Sequence, residues 1–248
     1  MIPSVVVFLI LLFVASGFAA DARTAVDAFL SRLSGVNLTD LAVTETFTLY
    51  SPNGRSEQAR GDRRLFVKIP GRQRFEQTVE GRREVRLNVD NRTWVRQADG
   101  RVYEAPPAEA ERARSRLLTP FTRSAADLLA EWRAHGVRDD ITRAERIGDR
   151  TVTVIGARVG DRTSPAVWLD PEWGVIRFIA RERLPTGDGL VDLTLSDHRR
   201  LVKDFFYPFR QEVFLDGKLL TRVTVKSAEA NTNLAAELFD PEALRRGR

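Results

Sequence analysis

Cysteine is absent from the 248 residues. That excludes disulfides, thiol catalysis, cysteine-based zinc sites and lipid attachment at an N-terminal cysteine. Histidine is scarce: only His135 and His198 occur, neither has a second ligand at metal-binding spacing, and HExxH is missing. The Gly-x-Ser-x-Gly nucleophile elbow, GxGxxG and the phosphate-binding loop are missing too, and the glycines sit at turns instead. Asp139-Asp140 is an acidic pair in a loop, where adjacent carboxylates point apart as often as together. No cofactor and no enzymatic activity are expected. Arg112, Arg114, Arg116 and Arg123 form a basic run without interleaved aromatics, so nucleic acid is not an expected partner. The run reads as a solvated face or, more sharply, as a contact for acidic lipid headgroups or a protein partner. No repeat or low-complexity linker divides the chain.

Hydrophobic residues make up 43% and charged residues 29%, a globular balance with material for a sizeable core. Net charge is +5. Such an excess suits an anionic surface or an acidic partner, or simply an arginine-rich solvated face. Residues 5–15 form the one continuous apolar run, VVVFLILLFVA, followed by small residues at Gly17 and Ala19. The run is short of the ~20 residues that span a bilayer comfortably, so residues 1–19 read as a signal peptide cleaved after Ala19. Positive charge before the run comes only from the α-amino group, which keeps an uncleaved membrane anchor as the alternative. Either way residues 20–248 leave the cytoplasm as one domain.

Residues 65–103 carry the strongest pattern. Apolar and polar residues alternate, and Pro70-Gly71, Glu80-Gly81, Asp90-Asn91 and Asp99-Gly100 interrupt every 9–10 residues. This predicts an antiparallel meander with one wet and one apolar face. Leu65, Val67 and Ile69 share a face, as do Val85, Leu87 and Val89.

Before the meander, Val26, Phe29, Leu30 and Leu33 predict an amphipathic helix over 21–33 that Gly35 ends. A strand is expected over 41–50, with Leu41, Val43, Phe47 and Leu49 on one side, then a turn at Asn53-Gly54. Residues 104–136 break the β pattern. Leu128, Leu129 and Trp132 follow Ser124 at helical spacing, and His135-Gly136 closes the turn. One or two short helices are expected here, lying across the apolar side of the sheet. Strands return around Val152, Val167–Leu169, 175–180 and Val191–Leu195, and Asp216-Gly217 marks a hairpin. Asp240-Pro241-Glu242 starts a last helix. Trp94, Phe121, Trp132, Trp168, Trp173, Phe178 and Phe205–Tyr207 either line a cavity or form ordinary core.

Several short motifs, in order, resemble the LolA-like outer-membrane lipoprotein-sorting proteins. Phe66-Val67-Lys68-Ile69-Pro70-Gly71-Arg72, with Arg74-Phe75 behind it, is similar to that family's aromatic–x–Lys–Arg–Pro strand end. Val89-Asp90-Asn91-Arg92-Thr93-Trp94 resembles its Asp-Gly-x-x-Trp hairpin, and Asn231 or Asn233 before Leu238-Phe239 its closing Asn…Phe signature. The resemblance covers about residues 21–244. It implies a mainly β fold, a curved, incomplete antiparallel β-barrel with helices covering the concave apolar face. It also implies a periplasmic location and an apolar cavity for the acyl chains of a lipoprotein or lipid, with inner- and outer-membrane lipoprotein-transfer components as partners. The expected lining is Phe47, Leu65, Val67, Ile69, Phe75, Val85, Leu87, Trp94, Leu118, Phe121, Leu128, Trp132 and Phe178. The family's arginine before the strand-end proline, which hydrogen-bonds the lid, is Ile69 here. That departure leaves a sensor or protein-interaction module on the same scaffold as the alternative to a carrier.

Overall fold

Asp21 starts the first helix by accepting a hydrogen bond from the Thr24 N–H at 3.0 Å, which satisfies one of the free donors at the helix start. The helix, α1 (Ala22–Leu33), buries Val26, Phe29 and Leu33 and half-buries Leu30. The structure is a computed structural model and describes residues 21–106, 123–184 and 187–247. Within these, six strands follow α1: β1 (Asp40–Tyr50), β2 (Glu57–Lys68), β3 (Arg72–Val79), β4 (Arg82–Val89), β5 (Arg92–Arg96) and β6 (Val102–Glu104). The four expected turns separate β2 to β6. Asn91 sits there at φ 62°, a left-handed conformation that asparagine tolerates better than most side chains. β2 begins at Glu57, well before the alternation becomes clear at residue 65.

Ser124 and Asp127 form a reciprocal cap, each side chain bonding the other's backbone N–H at 3.1–3.2 Å, and so start α2 (Ala125–Ala134). Gly136, at φ 88°, ends that helix after His135. The second meander comprises β7 (Thr142–Ile147), β8 (Arg150–Ile155), β9 (Ala166–Asp170), β10 (Gly174–Leu184), β11 (Gly187–Val202), β12 (Phe205–Leu215) and β13 (Lys218–Ala230). A 3-10 turn (Ala236–Phe239) and α3 (Pro241–Arg245) close the described chain, the latter capped by Asp240 on the Glu242 N–H at 2.9 Å.

All 13 strands join one sheet, in the order β6-β5-β4-β3-β2-β1-β13-β12-β11-β10-β9-β8-β7. Every pairing is antiparallel, and β1 zips to β13, so the first and last strands fuse the two meanders. The sheet is curved. One continuous core holds Leu65 and Val67 of β2, Ile155 of β8 and the buried faces of α1 and α2. β2 and β8 stand seven positions apart in the sheet, about 34 Å if it were flat. Two helices of ordinary diameter cover only about 20 Å, so the sheet curls around them.

The convex side is not uniformly wet, contrary to the expectation for the meander. The residue pairing sets Phe75 opposite Arg86 and Glu76 opposite Val85, which turns Val85 and Leu87 away from the concave face. They bury under Phe239 and Leu244 of the C-terminal segment, with Phe66, Val89 and Trp94 alongside. That segment is tied down at three points. Asp40, 1% exposed, accepts from Thr232 N–H at 2.7 Å and Asn233 N–H at 3.0 Å. Lys68 Nζ donates to the Leu234 carbonyl at 2.7 Å, and Arg74 Nη1 to that of Leu238 at 3.0 Å. Lys68 and Arg74 of the strand-end motif therefore anchor the C-terminus to the convex face. A second convex cluster, Val152, Val154, Trp168 and Ile179, lies at the other end of the sheet.

Candidate functional site

The concave face holds a cavity of about 70 Å³ beneath the two helices. α1 contributes Val26, Phe29 and Leu33, α2 contributes Leu128 and Trp132, and the sheet side supplies Leu169, Trp173, Val175, Leu195, His198 and the 205–208 segment. Phe29 reaches the sheet because Gly174 makes room for it: a Cβ there would lie 2.6 Å from the Phe29 ring. The cavity exceeds the space of a single water, yet falls below the roughly 300 Å³ at which pockets for whole small molecules begin. Among the described residues, a long hydrocarbon fits this cavity only if α1 and α2 move off the sheet.

Polar groups hold the helices down at their ends. The Arg32 guanidinium of α1 donates to the Glu172 carbonyl. His135 Nδ1, at the end of α2, lies 2.9 Å from Glu182 Oε1 on β10. Ile69, where the resembling family has arginine, is half-buried in the concave core and contributes only packing.

One wall of the cavity is a layered charge and ring stack. Trp173 stacks on His198 with centroids 4.7 Å apart and planes within 9°. The Arg150 guanidinium carbon lies 3.9 Å from the Trp173 ring centre. Arg150 in turn bonds both Asp170 carboxylate oxygens, at 2.5 and 2.8 Å, and Glu172 at 2.9 Å. Burial pushes the Asp170 carboxyl up, but Arg150 and the Trp173 and Glu172 backbone N–H groups outweigh it and hold it below its ordinary value. Burial drives the His198 imidazole down to about 4, so it is neutral near pH 7. Among the described residues, neither ring nitrogen of His198 has a partner, nor do Trp132 Nε1 and the Tyr207 hydroxyl.

Farther along the concave face the lining turns polar. Arg63 lies 3.9 Å from Glu45, bonds Gln77 at 3.0 Å, and covers the Phe47 ring at 3.9 Å. Burial raises the Glu45 carboxyl, partly countered by Arg63. Burial likewise lowers the Arg63 guanidinium, partly countered by Glu45.

The structure brings together part of the expected lining. Leu128 and Trp132 border the cavity, and Leu65, Val67 and Phe178 lie in the core continuous with it. Ile69 and Phe75 pack half-buried against that core. Phe47 shares the face but stands beyond Glu45, under Arg63. Val85, Leu87 and Trp94 are corrected to the convex side, because the β3–β4 pairing gives the concave positions of β4 to Glu84, Arg86 and Asn88. Leu118 and Phe121 lie outside the described residues, as do Arg112, Arg114, Arg116 and the leader. Val26, Phe29 and Leu33, which share the predicted stripe of α1, and His198 also border the cavity, although the expected lining does not include them. Asp139 and Asp140 are engaged by Arg133 at 3.4 Å and Arg138 at 2.6 Å.

No family model matches the sequence, and no curated protein matches it. Solved structures do. A Vibrio parahaemolyticus outer membrane lipoprotein-sorting protein domain superposes with a TM-score of 0.58 at 14% identity, over 91% of this chain and 100% of that one. A DUF1329 family protein from Desulfovibrio piger gives 0.57 at 12% identity, over 90% and 99%. A LolA superfamily protein from Nitrosomonas europaea gives 0.53 at 10%, also over 90% and 99%. The fold is thus LolA-like: mainly β, one curved open antiparallel sheet with few helices.

Proposed function

We propose that this protein is a non-enzymatic carrier that binds the acyl chains of lipids or lipoproteins between α1, α2 and the concave sheet. The observation that supports it is an apolar space left between the sheet and two short helices, continuous with a core that could part along that plane. Each methylene taken out of water is worth about 0.8 kcal/mol, so a long chain carries roughly 10 kcal/mol. That offsets much of the apolar burial that α1 and α2 lose when displaced, about 1.5–3 kcal/mol for each buried side chain. The chain would bind the open state more tightly than the closed one and so shift the population toward it. Arg32–Glu172 and His135–Glu182 would then act as latches, in place of an arginine at position 69. The leader at 1–19 and the fold together support a periplasmic location, with cargo received from and handed to inner- and outer-membrane lipoprotein-transfer components.

One observation favours the second reading, a sensor or protein-binding module on this scaffold: the space beneath the helices is only about 70 Å³. Purification from cells, organic extraction and mass spectrometry separate the two. The carrier reading expects a stoichiometric acylated species and uptake of a fluorescent fatty-acyl probe. An empty extract with no uptake contradicts it.

A further inference from the structure

The loop between β8 and β9, residues 156–165, holds an apolar side chain out in solvent. Val159 is 84% exposed, twice the 42% of Ile147, the next most exposed large hydrophobic residue among those described. Single exposed valines are common, but this one is fixed by bonds on both sides of it. The Asp161 N–H donates to the Arg158 carbonyl at 3.1 Å, closing a turn around Val159 and Gly160, and Gly160 takes φ 82°. The Asp161 carboxylate accepts from the Thr163 and Ser164 N–H groups at 3.0 and 3.1 Å, so it is engaged inside the turn. Arg143 Nε donates to the Ala157 carbonyl at 3.1 Å. These bonds oppose the relaxation that would fold the valine down onto the convex cluster, which Ala157 joins. Arg158 and Arg162 flank the tip, and both are exposed. Among the described residues, the Arg162 side chain makes no hydrogen bond or ion pair, and the Arg158 guanidinium has only a through-space attraction to Asp140, which Arg138 already binds at 2.6 Å. The base of the loop packs against the end of α2. The Gly156 N–H donates to the Ile141 carbonyl at 2.8 Å, a Cβ at Gly156 would lie 2.9 Å from Val137, and one at Gly136 would lie 3.2 Å from Pro165. The tip therefore stands at the end of the sheet where α2 finishes and His135 meets Glu182.

We infer that this loop is a docking tip for an anionic lipid surface, with Val159 entering the acyl boundary and Arg158 and Arg162 meeting phosphate headgroups. A headgroup layer over hydrocarbon uses all three side chains at once. A free phosphate would engage the arginines and leave the valine in water. A neutral apolar pocket would take the valine and leave both cations uncompensated. Arginine suits the boundary, since its stem lies along apolar surface while the guanidinium pairs with phosphate. The net charge of +5 works in the same direction. One valine and two arginines give a weak, reversible contact, suited to a protein that visits a membrane and leaves it. The contact would set the end of α2, and with it the His135–Glu182 pair, beside the bilayer.

The test is flotation of the whole mature protein with vesicles of phosphatidylcholine, alone or mixed with phosphatidylglycerol. Binding should favour the mixed vesicles and fade as salt is raised. Arg158→Gln/Arg162→Gln should weaken it by about 25-fold, roughly fivefold for each charge, and erase the preference for phosphatidylglycerol. Val159→Ser should weaken binding to both vesicles, and Val159→Trp should strengthen it, with blue-shifted emission from the added indole. Arg55→Gln/Arg64→Gln removes the same charge from exposed positions of the β1–β2 hairpin and should leave binding unchanged. Every substituted side chain is exposed, so each variant should keep the wild-type unfolding curve. No flotation of the folded wild type would overturn the inference and leave an acidic protein surface as the tip's partner. Equal loss in Arg55→Gln/Arg64→Gln would overturn it in favour of net charge alone. Flotation that survives the tip variants would overturn it in favour of acyl uptake from the vesicle. Flotation needs no cargo beneath the helices, so the inference and the carrier reading fail separately.

Discussion

Gly61 of β2 stands directly opposite Phe47 of β1, and the Phe47 ring fills the space where a side chain at 61 would be. A Cβ at that position would lie 2.6 Å from the ring and 2.4 Å from the Thr78 carbonyl oxygen. Gly61→Ala should therefore destabilise the fold by about 2 kcal/mol, the usual scale of overpacking, read from denaturant unfolding. Adding Phe47→Leu should recover only part of the loss, because the Thr78 carbonyl stays in place.

Asp40 ties the C-terminal segment to β1 through Thr232 and Asn233. Burial alone would raise its carboxyl, but the Thr232 and Asn233 hydrogen bonds and that from Thr39 outweigh it and hold it below 3.8. A depressed carboxyl contributes stability that is present above its unfolded value and lost as pH falls through its folded one. Asp40→Ala should cost about 2–3 kcal/mol at neutral pH and remove that acid-side loss below pH 4. Hydrogen exchange should show Val85 and Leu87 losing protection first, as Phe239 and Leu244 lift away.

His198 predicts the opposite side of the acid range. Its folded value of about 4 lies below the ordinary 6.5, so the unfolded chain binds the extra proton between those limits. The stability involved is full above pH 6.5 and falls by up to about 3 kcal/mol as pH drops toward 4. Glu45 works against this, since its raised carboxyl makes the fold relatively more stable as pH falls toward 4.5. The difference between the wild type and His198→Phe, which keeps a flat ring beside Trp173, isolates the histidine. Parallel stability curves from pH 7 to 4 would contradict the prediction.

Arg32→Ala removes the guanidinium that α1 places on the Glu172 carbonyl without touching the apolar stripe. A hydrogen bond from a charged donor is worth about 1.5–3 kcal/mol, and part of that opposes lid opening. Acyl uptake measured by stopped flow should quicken by roughly tenfold for 1.4 kcal/mol of relief, with release little changed and equilibrium affinity raised to match, because the bound, open state lacks this contact. Unchanged rates would show that this contact does not hold the lid.

Much of the fold was legible because local chemistry settles it. The four turns of the first meander, the Ser124 cap and the Asp240-Pro241 helix start all lie where the residue types require. The choice of face was not legible for β4 and β5. Val85 and Leu87 alternate as cleanly as Leu65 and Val67, and period-2 spacing cannot tell which side is covered by a distant helix. Only the register Phe75–Arg86 and the return of Phe239 and Leu244 decide it. The pairing of β1 with β13 joins residues nearly 190 positions apart, Leu41 with Ala230, and leaves no local trace. In the site, α2 was legible through Leu128 and Trp132. The unpartnered state of Tyr207 and His198 depends on what the other elements fail to offer them, which no spacing encodes.

Tryptophan quenching by an acyl ester brominated along its chain tests the central claim most directly. Trp132 and Trp173 border the cavity, whereas Trp94 and Trp168 lie in the convex clusters. Saturable quenching is expected in the wild type and in Trp94→Phe/Trp168→Phe, and its loss in Trp132→Phe/Trp173→Phe. Quenching that persists in the last variant, or none in a folded wild type, would contradict a bound chain beneath the helices.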